Sequence, residues 1–169
     1  LVEARRVLPL GAPVAPLFAP ERTVLVMSEG GQLELCEHLT LKLAEGMLRS
    51  QPRAVDVLHF AHGPLQGLAR VPLTIVYLLP AGADDSPWRA RLEQALDPAL
   101  HALVAVRTKL PMPFAVLELE AIFDEWCLRH QAETGHDLVA WPGAEREAAL
   151  YAVGPPARPE AAGSSPTFP

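Results

Sequence analysis

Residues 71–79 read VPLTIVYLL, a nearly continuous run of apolar and β-branched residues. A run without polar alternation predicts a strand that is buried on both faces, as central strands of parallel sheets are. A second short run, residues 23–27 (TVLVM), ends at the turn sequence Ser28-Glu29-Gly30-Gly31. Glycines directly after an apolar run are typical of the turn that connects a buried strand to a helix.

Helical spacing follows this turn. In residues 33–49, apolar side chains recur every three or four positions, which predicts an amphipathic helix. The alternation continues with predicted strands at residues 54–60 and 101–106 and predicted helices at residues 87–96 and 115–131, the last ending near Gly135. Repeated strand–helix alternation predicts an α/β fold, a three-layer sandwich with a mainly parallel sheet of flavodoxin-like or Rossmann-like topology.

A chain of 169 residues suits one domain. Four prolines in residues 1–20 predict an extended leader, because proline interrupts both helices and central strands. The domain is expected at residues 21–154, and the proline-rich residues 155–169 are expected to be disordered. Because the first residue is Leu1 rather than Met, the chain is also expected to be a processed, tagged or truncated piece of a longer protein.

The charge balance argues against two classes of partner. With 14 basic and 20 acidic residues the net charge is -6, and no basic patch is concentrated anywhere, so no nucleic-acid partner is expected. No apolar run reaches the ~18–20 residues that cross a bilayer, so no membrane partner is expected either. The two cysteines, Cys36 and Cys127, lie in predicted helices and are expected to be buried thiols in a reducing, cytoplasmic compartment.

Residues 41–66 contain the candidate chemistry. Lys42 and Glu45 stand three positions apart and therefore share a helix face. Further along, His62-Gly63-Pro64 predicts a tight turn that would fix the direction of the imidazole. The simpler interpretation is a solvated ion pair on the helix and a histidine that satisfies a backbone carbonyl.

The segments LKLAE (residues 41–45) and HGPL (residues 62–65) resemble the sugar-isomerase (SIS) domain family. The match is to the second SIS half of the isomerase module of glucosamine-6-phosphate synthase, and it covers about residues 22–154. Glu45 and His62 are 17 residues apart, one more than in the family. A weaker similarity places residues 136–143 where the family has its closing segment.

The resemblance implies a sugar-phosphate ligand, no cofactor and no metal. It implies Glu45 as the base that moves a proton between C1 and C2, His62 as the ring-opening acid/base, and Lys42 as the cation that stabilises the enediolate. The turn before the first long helix, with Ser28, Gly30 and Gly31, is the expected phosphate or sugar contact, because a helix N-terminus offers free amides. It matches neither the P-loop nor the dinucleotide-binding pattern, and the simpler interpretation is that its glycines only form the turn. The family builds its site across subunits, which implies a homodimer or a partner SIS half.

Two family features are absent from the sequence. No S-x-S-x-x-T phosphate loop occurs, and the residues after Trp141 offer Arg146 rather than the family's closing lysine. We therefore expect a phosphosugar isomerase-like or phosphosugar-binding domain that resembles an incomplete half of a two-module enzyme: a truncation, a subunit that needs a partner, or a descendant that has lost catalysis. Two alternatives remain open: a non-catalytic interaction or regulatory domain of the same fold, and a metal-dependent amidohydrolase of the creatininase type. The latter would recruit ligands from His59, His62, His130 and Glu133.

Overall fold

The computed structural model of the chain describes residues 12–49, 51–81, 87–141 and 143–147. Within these residues the sheet has four strands: β1 (Thr23–Ser28), β2 (Arg53–Asp56), β3 (Leu73–Leu79) and β4 (Ala102–Arg107). They lie in the order β2-β1-β3-β4, and each neighbouring pair is parallel. This is a doubly wound order, in which the direction of the winding reverses between β1 and β3.

The helices of the described residues are α1 (Leu33–Gly46), α2 (Val57–Ala61), α3 (Pro64–Leu68), α4 (Pro87–Ala95), α5 (Ala115–Thr134) and α6 (Ala144–Glu147). The chain divides into two compact units, Leu1–Leu138 and Val139–Pro169. The sheet and the first five helices belong to the first unit, and α6 belongs to the second. None of the helices in the described residues is long and apolar enough to cross a bilayer.

Alternate residues of each central strand pack into different hydrophobic clusters. Val24 and Val26 of β1 join the cluster that contains side chains of α1 and α5. Leu25 and Met27 join the cluster formed with α2 and α4. All seven residues of β3 are buried, so helices cover both faces of this strand. The predicted α/β fold is confirmed as helices on both sides of a parallel sheet, a three-layer sandwich.

The second strand is shorter than its prediction. β2 ends at Asp56, and residues 57–60, which were expected to continue the strand, form most of α2. Asp56 is the N-cap of this helix, and its carboxylate accepts hydrogen bonds from the amides of Leu58 and His59. An aspartate in this position satisfies amides that the first helical turn leaves free, and it therefore starts a helix inside an apolar run.

The proline-rich leader is not extended throughout. Residues Ala15–Phe18 form a 3₁₀ helix, and both Val14 and Phe18 are buried in the core. The Glu133 carboxylate of α5 accepts hydrogen bonds from Val14 N at 2.8 and 3.0 Å and from Ala15 N at 2.7 Å. The rest of the leader before residue 12 and the predicted tail at residues 155–169 lie outside the described residues.

Both cysteines are free thiols buried in the core, as expected. Burial raises the pKa of Cys127 to about 11. Its thiol lies against the end of α1, where the sulfur is 3.6 Å from the Lys42 carbonyl oxygen. At this pKa the thiol stays protonated near neutral pH, so Cys127 acts as a packing residue rather than a nucleophile.

Candidate ligand site at the carboxyl edge of the sheet

The turn after β1 lies at the point where the winding of the sheet reverses. In open α/β sheets, ligands bind outside the carboxyl ends of the strands at this reversal. The turn contains Gly30 and Gly31, whose φ angles are 31° and 72°. Residues other than glycine rarely adopt such angles, so these two glycines allow the chain to turn sharply from β1 into α1. Both glycines are exposed at this edge of the sheet, and they are two of the three residues predicted to contact the ligand.

The N-terminus of α1 carries free donors beside this turn. The first hydrogen bond of this end of the helix joins Cys36 N to Gln32 O, so the amides of the preceding residues have no acceptor within the helix. The side chain of Gln32, the N-cap residue, makes no capping hydrogen bond. Its Oε1 is buried and has no donor among the described residues. The helix thus offers unsatisfied amides and a positive dipole end to a ligand.

Two carboxylates flank the turn. Asp56 Oδ2, at the end of β2, accepts a hydrogen bond from Gly30 N at 3.0 Å. Glu29 accepts a hydrogen bond from the hydroxyl of Tyr77, a wholly buried residue of β3. Since one carboxylate fixes the backbone of the turn and the other is held by the neighbouring strand, the edge is preorganised. Carboxylates also accept hydrogen bonds from the hydroxyls of a sugar.

Ser28, the third predicted contact residue, is directed elsewhere. It is the last residue of β1 and is 1% exposed. It lies beside the thiol of Cys36 on α1; burial raises the pKa of this thiol, and the nearby Ser28 hydroxyl lowers it in part. A ligand at the turn would therefore meet backbone amides and not the buried Ser28 hydroxyl.

The predicted catalytic residues of α1 do not pair with each other. Lys42 Nζ contacts Glu120 Oε2 at 2.6 Å and Asp124 Oδ1 at 2.5 Å, both on α5. Hydrogen bonds to these carboxylates raise the pKa of Lys42, so the lysine is charged and joins α1 to α5. Glu45 is exposed near the last turn of α1. At 1.5 Å per residue it lies about 18 Å along the helix from Leu33, far from the glycine turn.

His62 lies on the other side of the sheet. It is the exposed C-cap of α2, whose Val57 and Phe60 pack into the cluster opposite α1. Gly63 has a φ of 152° and is followed directly by α3, which begins at Pro64, so the predicted tight turn is present. Within one copy of the chain, the sheet therefore separates His62 from Lys42 and Glu45.

Sequence reasoning did not identify Glu29, Asp56 or Tyr77. Glu29 stands between two residues that it did single out, and Asp56 follows an apolar strand, so both were open to detection as acidic residues at strand ends. Tyr77 lies within the apolar run of β3, and its contact joins residues 48 positions apart. No sequence pattern marks that pairing.

The histidines proposed as metal ligands belong to separate elements. His59 is exposed on α2, whereas His130 is buried on α5. Among the described residues, no group of three or more histidine, cysteine, aspartate or glutamate side chains is arranged to hold a metal ion. The aromatic neighbour of His130 is His136, with ring centroids 5.6 Å apart.

We expect the buried His130 to make the stability of the fold sensitive to acid. It is 3% exposed, and its Nδ1 has no partner among the described residues. Burial lowers the pKa of His130, as do nearby His136 and Arg49, while Glu133 raises it in part. The unfolded chain then binds this proton at a higher pH than the folded chain does. We expect the free energy of unfolding to decrease as the pH falls below about 6.5, and this decrease to end below the lowered folded-state pKa.

Denaturant unfolding measured between about pH 7.5 and pH 5 tests this expectation. His130→Gln should flatten the dependence, whereas His59→Gln, at an exposed position on α2, should leave it unchanged. Equal slopes for wild type and His130→Gln would show that other groups cause the acid sensitivity.

Compared with models of known protein families and with curated proteins, the chain matches none of them.

Proposed function

We propose that this chain is a phosphosugar-binding α/β domain of the SIS type, which binds its ligand at the carboxyl edge between β1 and β3. One observation carries the proposal: the Gly30-Gly31 turn and the uncapped N-terminus of α1 lie at the reversal of a doubly wound sheet. The amides would bind the phosphate, as helix N-termini commonly do.

The carboxylates of the edge suit the other part of such a ligand. Glu29 and Asp56 supply acceptors for sugar hydroxyls beside the donors that suit the phosphate. An isolated phosphate would meet the same two negative charges without compensating hydroxyl contacts. We therefore expect sugar phosphates to bind more tightly at this edge than inorganic phosphate does.

The separation of the predicted catalytic residues favours binding without turnover in a single copy. Glu45 and His62 belong to helices on opposite sides of the sheet. A base and an acid act on one substrate only when each is within hydrogen-bond reach of it. Isomerase activity would therefore need a second copy or a partner SIS half, which brings a histidine to the glutamate of this chain.

A thermal-shift panel of hexose and hexosamine 6-phosphates tests the binding. A ligand at 100 times its dissociation constant stabilises a fold by about 2.7 kcal/mol, which corresponds to about 5–10 °C for a domain of this size. We expect this shift for at least one sugar phosphate and a smaller one for inorganic phosphate. Glu29→Gln and Gly31→Ala should reduce it, because they alter an acceptor and the turn geometry.

Glu37→Gln is the matched control, since Glu37 is an exposed glutamate early in the same helix. It should retain the full shift. Glu45→Gln should retain binding as well, and would lose only turnover in an assembled enzyme. A flat panel at millimolar ligand, or shifts that persist in both Glu29→Gln and Gly31→Ala, would overturn the proposal.

A further inference from the structure

A small polar cavity lies at the opposite, amino-terminal edge of the sheet. Its volume is about 190 Å³, and it is formed where residues 20–23 enter β1 and where the chain returns from α1 to β2. Drug-sized ligand pockets usually measure about 300–1,000 Å³, so this cavity suits a much smaller ligand. The side chains available around it include Arg49, Arg53, Thr23 and Gln51.

Arg49 is the unusual residue of this cavity. It is 9% exposed, and one terminal nitrogen donates to Arg22 O at 2.7 Å and to Pro20 O at 3.4 Å. Its Nε is buried and has no acceptor within the described residues. Burial lowers the pKa of the guanidinium, and Glu21 offsets this effect in part. Among the described residues, carbonyl oxygens and no carboxylate accept hydrogen bonds from this buried guanidinium, so no ion pair compensates its desolvation.

The charges around the cavity favour an anion. Three arginines and one glutamate line it. Arg22 uses its guanidinium elsewhere, on Thr74 Oγ1 and on the carbonyls of Leu73 and Leu100. Arg53 is exposed at the start of β2. Arg49 and Arg53 are therefore the remaining cations of the lining, and Thr23 and Gln51 add neutral hydrogen-bonding groups.

We propose that this cavity binds a small oxyanion, either inorganic phosphate or the phosphate group of a monoester, between Arg49 and Arg53. Guanidinium groups match the geometry of phosphate oxygens and form short, charge-assisted hydrogen bonds with them. This site is separate from the one in the proposed function, because it lies at the other edge of the sheet and uses side-chain cations rather than helix amides.

Calorimetric titration of the full chain with inorganic phosphate, at constant ionic strength, tests the site. We expect saturable binding that weakens about tenfold or more in Arg53→Gln, which removes a charge-assisted contact at an exposed position. Arg49→Lys, which keeps the charge but loses the planar fork, should also weaken it. Arg70→Gln is the matched control, since Arg70 is exposed and does not line the cavity; it should leave the affinity unchanged.

A parallel titration with glycerol phosphate identifies the source of the anion. Equal or tighter binding of glycerol phosphate supports a phosphate monoester, and binding of inorganic phosphate alone supports the free ion. The inference is wrong if neither ligand binds with a dissociation constant below about 10 mM. It is also wrong if Arg53→Gln binds phosphate as tightly as the wild type does. It is also wrong if Glu29→Gln and Gly31→Ala abolish phosphate binding while Arg53→Gln retains it, a result that would leave the proposed function intact.

Discussion

Replacing Phe123 by alanine should lower the free energy of unfolding by about 3–5 kcal/mol, the usual cost of deleting a buried aromatic ring. Phe123 lies on α5 and is 0% exposed. Its ring stacks on Trp126 with centroids 5.2 Å apart, and Trp126 in turn contacts Phe18 at 5.8 Å. The substitution therefore leaves a cavity beside Trp126, in the core cluster that α5 shares with α1 and β1. Urea unfolding followed by tryptophan fluorescence measures the effect.

Phe114 provides the matched control, because it is the same residue type directly before α5 and is 61% exposed. Phe114→Ala should change the stability by less than about 0.5 kcal/mol. If Phe123→Ala is too unstable to purify, Phe123→Leu should still lose about 1–1.5 kcal/mol. Equal effects of alanine at positions 123 and 114 would contradict the packing described above.

Gly46→Ala should lower the free energy of unfolding by about 1–3 kcal/mol, the cost of overpacking a core contact. A Cβ atom at Gly46 would lie 2.5 Å from the sulfur of Cys127 and 2.9 Å from its Cβ. These distances are far below van der Waals contact, so α1 and α5 would have to move apart. Chemical denaturation of the purified variant measures the loss.

The sign of this effect should reverse when the obstacle is removed. In a Cys127→Gly background, Gly46→Ala should stabilise the protein by about 0.5–1 kcal/mol, because alanine restricts the unfolded chain more than glycine does. Gly67→Ala on α3 is a second control, since nothing lies within 4 Å of an added Cβ there. It should stabilise the wild-type chain in the same way. An unchanged cost of Gly46→Ala after Cys127→Gly would refute the steric explanation.

The layers of the fold were predictable because each central strand carries its own signal. β3 is a nearly continuous run of apolar and β-branched residues, and this pattern alone indicates a strand covered on both faces. The long helix α5 was predictable from its periodicity and from Gly135, which forms its left-handed C-cap. The boundary between β2 and α2 was not, because an apolar run suits either structure, and the capping hydrogen bonds of Asp56 decide between them.

The candidate sites were only partly predictable from the sequence, because they depend on contacts between residues that are far apart along the chain. Sequence spacing placed Lys42 beside Glu45, but the acidic residues of α5 compete for the lysine and hold it. The glycines of the turn were recognisable, whereas the Tyr77–Glu29 hydrogen bond was not, since it requires knowing that β3 lies next to β1. Arg49 is the last residue of the helix predicted at residues 33–49, but α1 ends three residues earlier, at Gly46, and Arg49 is buried.

The contact between Glu133 and the amides of Val14 and Ala15 brings together two parts of the α/β sandwich that are far apart in the sequence. Residues separated by 118 and 119 positions are joined there by hydrogen bonds of 2.7–3.0 Å. The polypeptide therefore enters and leaves the sandwich at neighbouring points. A unit with adjacent entry and exit can be inserted into a surface loop of a host protein without stretching that loop, and its sequence can be circularly permuted through a short bridge.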